Sequence, residues 1–146
     1  PVMQRQRGLT LLELLVVLAI IGFAMTGVSL SLRDSSQTQL EREAQRLVAI
    51  LEAARAQSRT SGTALVWQPT PDGFAIRPEP MSRTDTWLAP GTQARVSNSL
   101  NLVVLGPEPI LVPVRITLQA PATPNAPTAN TLRIGTDGVR PFEVLP

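Results

Sequence analysis

Residues 8–28 read Gly-Leu-Thr-Leu-Leu-Glu-Leu-Leu-Val-Val-Leu-Ala-Ile-Ile-Gly-Phe-Ala-Met-Thr-Gly-Val, an apolar run of membrane length with one acid, Glu13, inside it. A helix rises about 1.5 Å per residue, so about 20 apolar residues cross a hydrocarbon core of about 30 Å. A lone carboxylate in such a run costs about 2.5–3.5 kcal/mol on insertion scales. A chain that keeps Glu13 there is expected to give it a partner. Arg5 and Arg7 precede the run directly. Basic residues on that side favour a cytoplasmic N-terminus and place the remainder of the chain across the membrane.

Of the 146 residues, those beyond the leader and the apolar run suffice for one small soluble domain. Aromatic residues are only 3%, so aliphatic side chains must supply most of its packing. There is no cysteine and no histidine, which excludes thiol catalysis, the usual zinc sites and Ser-His-Asp chemistry. No phosphate-binding loop and no acid pair stands out. The chain is therefore not expected to be an enzyme, and no cofactor or metal is expected. All 13 basic residues are arginine. Taking Arg5 and Arg7 away leaves 11 of them against 11 acids, a formally neutral chain. That argues against a general nucleic-acid footprint.

Four segments are expected: a leader over 1–8, a membrane-spanning stretch of helix over 9–32, an amphipathic stretch over 33–62 and a β domain over 63–146. After the polar break Arg33–Thr38, where a bend could fall, helical periodicity resumes. Leu40, Ala44, Leu47, Val48, Leu51 and Ala54 recur at spacings of three and four. Glu41, Arg42, Glu43, Arg46, Glu52, Arg55 and Arg59 are assigned to the remaining circumference, with Glu43/Arg46 and Glu52/Arg55 close enough to pair. Gly62 suits a left-handed cap. One helix is expected from about Thr10 to Thr60.

Thirteen of the 14 prolines lie at or beyond residue 69, and β-like runs follow the helix: 64–68, 74–77, 94–105, 110–119, 131–134 and 139–145. Val112, Val114, Ile116 and Leu118 alternate with more polar neighbours, as in a half-buried strand. Pro113 cannot donate to a ladder, so that strand is expected at an edge or with a bulge. Asp72-Gly73 and Asp137-Gly138 read as turns between paired strands. Residues 120–130 read as an exposed, mobile loop. The expected fold class is α+β: a long N-terminal helix packed on an antiparallel sheet or a two-sheet sandwich.

The stretch Arg7-Gly8-Leu-Thr-Leu-Leu-Glu13-Leu-Leu-Val-Val-Leu-Ala resembles the N-terminal signature of type IV pilins and type II secretion pseudopilins. The resemblance implies cleavage by a prepilin peptidase between Gly8 and Leu9, followed by N-methylation of Leu9. Leu9 departs from the phenylalanine usual at that position. Residues 40–58, the strand ending near Trp67, and Ile134-Gly-Thr-Asp-Gly-Val-Arg-Pro-Phe142 resemble the GspH/FimT-type minor pilins. This second resemblance implies the H component of a type II secretion pseudopilus, linking tip subunits to the shaft. The implied partners are the peptidase, other minor pseudopilins and the major pseudopilin, the inner-membrane assembly platform and membrane lipid. The implied location is the bacterial inner membrane, single-pass, with the C-terminal domain periplasmic. The pilin-like alternative is a FimT-like subunit of a type IV pilus that binds DNA in natural transformation; Arg133 and Arg140 are its candidates, but Gly138-Val-Arg140-Pro holds one arginine and no cluster.

Each feature has a plainer reading. Gly8 could mark a helix boundary and the apolar run a secretory signal, but Ala24 and Gly27 make a poor cleavage site. Glu13 could be tolerated near the membrane surface, or pair with Leu9 of its own chain at i,i+4. The assembly reading pairs its carboxylate with the Leu9 ammonium of a neighbouring subunit, relieving two desolvated charges together. Leu40, Leu47 and Leu51 read as core. Gly22 and Gly27, five apart, do not form a GxxxG helix-packing pattern. Asp72 and Asp137 read as turn residues rather than metal ligands. Asp85-Thr-Trp87 reads as a loop, with Trp87 plugging the sheet.

Overall fold

The computed structural model describes residues 10–122, 124 and 128–146, with the side chains of residues 27–34 excepted. The leader, Gly8 and Leu9, the tip of the 120–130 loop and the Gly27 side of the Gly22/Gly27 pair lie outside the described residues.

One helix, α1 (Leu11–Ser61), runs unbroken through the polar stretch at 33–38. Its 51 residues correspond to a rod about 77 Å long. Thr10 caps the N-terminus in an extended conformation, its hydroxyl accepting from the Glu13 N–H at 3.3 Å. The spacing Thr-x-x-Glu is the sequence of a capping box. Gly62 ends the helix at φ 67°, in the left-handed region where a Cβ is disfavoured.

Eight strands follow: β1 (Leu65–Thr70), β2 (Gly73–Arg77), β3 (Arg83–Thr86), β4 (Gln93–Val96), β5 (Val103–Leu105), β6 (Val114–Gln119), β7 (Thr131–Thr136) and β8 (Glu143–Leu145). They form two antiparallel sheets, ordered β3-β2-β1-β5 and β4-β6-β7-β8. The C-terminal half of α1 lies against strands of both sheets and joins them through one core. Leu40, Ala44, Leu47, Ile50, Leu51 and Ala54 supply the helix side of that core. Trp67, Phe74, Leu105, Ile116, Leu118 and Ile134 supply the sheet side. Trp87 closes over Phe74, ring centroids 5.4 Å apart, and so plugs the first sheet.

Several strand expectations need correction. The run 94–105 is two strands in different sheets, because Ser97–Leu102 turns the chain. There Asn98 holds both the N–H and the C=O of Leu102, and Asn101, at φ 52°, accepts from the Val96 N–H. The run 110–119 begins as a strand only at Val114, after Pro113. β6 is then an inner strand rather than an edge or a bulge, because the residue that cannot donate lies outside the ladder. Asp85 lies on edge strand β3, not in a loop. The 139–145 run forms a strand only over Glu143–Leu145.

The turn expectations hold. Thr70 pairs with Gly73 across the Pro71-Asp72 turn. A Cβ on Gly73 would stand 1.8 Å from the Asp85 carbonyl oxygen, so the close approach of β3 requires glycine there. The base of the 120–130 loop is closed by the Ala120 N–H donating to Asn130.

Candidate assembly site

The N-terminal half of α1 leaves the domain as a bare apolar rod. Leu11 is 83% and Phe23 81% exposed, and every described large aliphatic residue between Leu11 and Met25 is exposed as well. An aqueous surface of this composition is not stable alone; it marks a face for lipid or protein. Glu13 sits within its first turn, where the helix dipole favours a negative charge. Among the described residues its carboxylate meets no cation and accepts no hydrogen bond. Among the described residues no helix is long and apolar enough to cross a membrane. The described side chains of the rod end at Thr26, so Leu11–Thr26 accounts for about 24 Å of helix against a core of about 30 Å.

The other half of α1 carries charged groups that the sequence reading placed on the outer circumference. Glu43 and Arg55 are instead 2% and 3% exposed. Glu43 accepts from the Leu88 N–H at 2.6 Å and from Arg46 at 3.1 Å. Arg46 donates onward to the Thr86 carbonyl at 3.0 Å, reaches Asp85 at 3.5 Å and lies over the Phe74 ring. Arg55 donates to the carbonyls of Gly138, Arg140 and Pro109 at 3.0–3.2 Å. Glu52 lies 3.7 Å from Arg55 and accepts from the Phe142 N–H at 2.8 Å. Both expected pairs form, and their work is to fasten the sheets to the rod. Their positions carried a signal, since 43 and 55 fall within the same three- and four-residue spacing as Leu40, Leu47 and Leu51.

The remaining candidates are surface groups. Arg133 is exposed on β7, and Arg140 is exposed and paired with Asp137 at 3.1 Å. The Asp137 carboxylate accepts from the N–H groups of Arg140 and Val139, which hold its pKa below the ordinary 3.8. This is the turn role expected of Asp137.

Residues 3–29 match the family model of the prokaryotic N-terminal methylation motif. That segment contains Gly8, Leu9 and Glu13. The fold is pilin-like. It is similar to that of the type IV minor pilin FimU of Pseudomonas aeruginosa (strain PAO1), with a TM-score of 0.56 at 13% identity, over 75% of this chain and 90% of that one. No curated protein matches the sequence. The motif and the fold meet in one object: a long helix that begins just after the motif's glycine and ends under two antiparallel sheets.

Proposed function

We propose that this chain is a minor pilin-like subunit, stored in the bacterial inner membrane, trimmed between Gly8 and Leu9 by a prepilin peptidase and methylated at Leu9. The 9–32 segment anchors it, the leader faces the cytoplasm and the sheets face the periplasm. The observation that carries this reading is the exposed apolar rod with Glu13 in its first turn, inside the segment that matches the methylation motif. In a filament the rods of neighbouring subunits replace lipid around one another, and the Glu13 carboxylate takes the Leu9 ammonium of a neighbour. The system we assign is a type II secretion pseudopilus, with this chain as the H component between tip subunits and shaft. The similarity in fold to FimU supports a second reading, a minor pilin of a type IV pilus.

Mass spectrometry of the N-terminus of protein taken from its native envelope tests the processing step. The expected chain begins at methylated Leu9, and Gly8→Val holds the precursor intact. A native chain that still carries residues 1–8 overturns the proposal. Co-purification separates the two systems: tip pseudopilins support the first reading, pilus subunits the second.

A further inference from the structure

The outer face of the second sheet is arginine-rich in a way that register alone makes visible. Arg95 on β4 stands opposite Thr117 on β6, which stands opposite Arg133 on β7. Two residues along β6, Arg115 stands opposite Gly135, itself opposite Glu143 on β8. The alternate residues Val96, Ile116, Leu118 and Ile134 are buried, so all three arginines point away from the core. Strand and residue spacings place their Cα atoms about 8–10 Å apart on one face of the sheet.

Among the described residues, none of these three guanidinium groups makes a hydrogen bond or ion pair. Arg46, Arg55, Arg83 and Arg140 are all paired with acids. Like charges this close repel one another and gain from a shared anion. At one corner of the face a cleft of about 490 Å³ opens between Arg115 and the loop that carries Arg140. Gly135 lies in its lining; a Cβ there would stand 3.1 Å from the Val114 carbonyl oxygen and 2.9 Å from Leu145.

We propose that this face docks a carboxylate-rich protein surface, whose Asp and Glu side chains meet Arg95, Arg115 and Arg133. The argument is charge complementarity. A guanidinium fork fits a carboxylate with two parallel hydrogen bonds, and Gln93, Gln119 and Thr117 add neutral donors and acceptors on the same face. A polynucleotide fits less well. No described aromatic side chain lies on this face to stack an unpaired base. The proposal does not depend on which filament, if any, the chain enters.

The test uses full-length protein in detergent micelles and two fluorescent probes, an oligoglutamate peptide and a short DNA duplex. The peptide is expected to bind, and replacing Arg95, Arg115 and Arg133 together by Gln weakens it at least about tenfold. Lysine at the same three positions retains part of the affinity. Replacing Arg42, Arg77 and Arg83 by Gln removes the same charge elsewhere and leaves binding within about twofold. Circular dichroism confirms that both variants are folded. Unchanged peptide affinity in the first variant, an equal loss in the second, or tighter binding of the duplex than of the peptide each overturns the proposal.

Discussion

Glu43 and Glu52 stand nine residues apart on α1, and each accepts a backbone N–H from a chain segment beyond the end of a β-strand: Leu88 at 2.6 Å and Phe142 at 2.8 Å. Each is followed one turn later by an arginine that donates to the carbonyl two residues earlier in that segment, Thr86 and Arg140 respectively. The same four-residue device, Glu-x-x-Arg, thus offers an acceptor and a donor to one extended step of chain, as a neighbouring strand would. It is used once for each sheet. The residues it seats, Trp87 and Phe142, are buried against the core.

Removing either acid leaves a backbone N–H without its partner. Glu43 is buried, so Glu43→Ala also strands part of the Arg46 charge, and a loss of about 3 kcal/mol is expected. Glu52 is partly open to water, but it is the acid paired with buried Arg55, so Glu52→Ala is expected to cost about 2–3 kcal/mol. The two sites are about 13 Å apart along the helix, so the double variant should show the sum within about 0.5 kcal/mol. Urea denaturation of the full chain in detergent checks all three; a large non-additive term would show that the two anchors act as one.

Arg55 and Gly138 form a second joint between rod and C-terminal loop, beside that of Glu52 and Phe142. The Gly138 carbonyl accepts from both Arg55 and the Leu111 N–H, each at 3.0 Å. Gly138 has φ 94°, and a Cβ there would stand 2.1 Å from the Leu111 carbonyl oxygen. Gly138→Ala is therefore expected to cost more than about 2 kcal/mol, through strain and the displaced loop together. Arg55→Met keeps most of the apolar stem and removes three hydrogen bonds, but each carbonyl keeps another donor (Leu111 N–H to Gly138, Thr136 to Arg140, Arg59 to Pro109), so the expected loss is about 1–2 kcal/mol. Thermal melts followed by tryptophan fluorescence measure both.

The long helix, its glycine cap and the two Asp-Gly turns were legible because each rests on local chemistry: apolar spacing, a left-handed position, a side chain that folds back on its own backbone. The strand β3, Arg-Thr-Asp-Thr, was not, because an edge strand with little buried surface needs no apolar alternation. The run 94–105 misled because its apolar ends belong to different sheets, although the Asn98 and Asn101 that part them are residues suited to turns. Glu43 and Arg55 were placed outside on residue type, whereas their helical spacing put them inside. The methylation motif over residues 3–29 needed no tertiary information. The arginine face did, since Arg95, Arg115 and Arg133 come together only through strand register.

Asp137 gives the C-terminal loop a pH dependence of known sign. Its pKa is lowered by the N–H groups of Arg140 and Val139 in the folded chain. A depressed carboxylate stabilises the fold above its unfolded pKa, and that contribution is lost as pH falls through the folded value. Asp137→Ala is expected to lower Tm at neutral pH, and the gap to the parent chain should close in acid below the usual carboxylate range. A gap that stays constant with pH would assign the loss to something other than the charged carboxylate.

Glu13 is the one charged side chain described within the exposed apolar rod, and it also sits where the Thr10 cap and the helix dipole favour an acid. Those two roles predict different outcomes. If Glu13 only helps to start the helix, Glu13→Gln keeps most of that benefit and assembly proceeds. If the carboxylate meets the ammonium of a neighbouring Leu9, Glu13→Gln leaves that charge unpaired in an apolar setting, at a cost of several kcal/mol per contact. The second outcome is expected: normal membrane insertion and normal trimming, with incorporation into filaments reduced at least about tenfold. Quantifying the subunit in sheared filaments against the membrane pool reads the effect directly, and Glu13→Asp, which keeps the charge on a shorter arm, is expected to fall between the two.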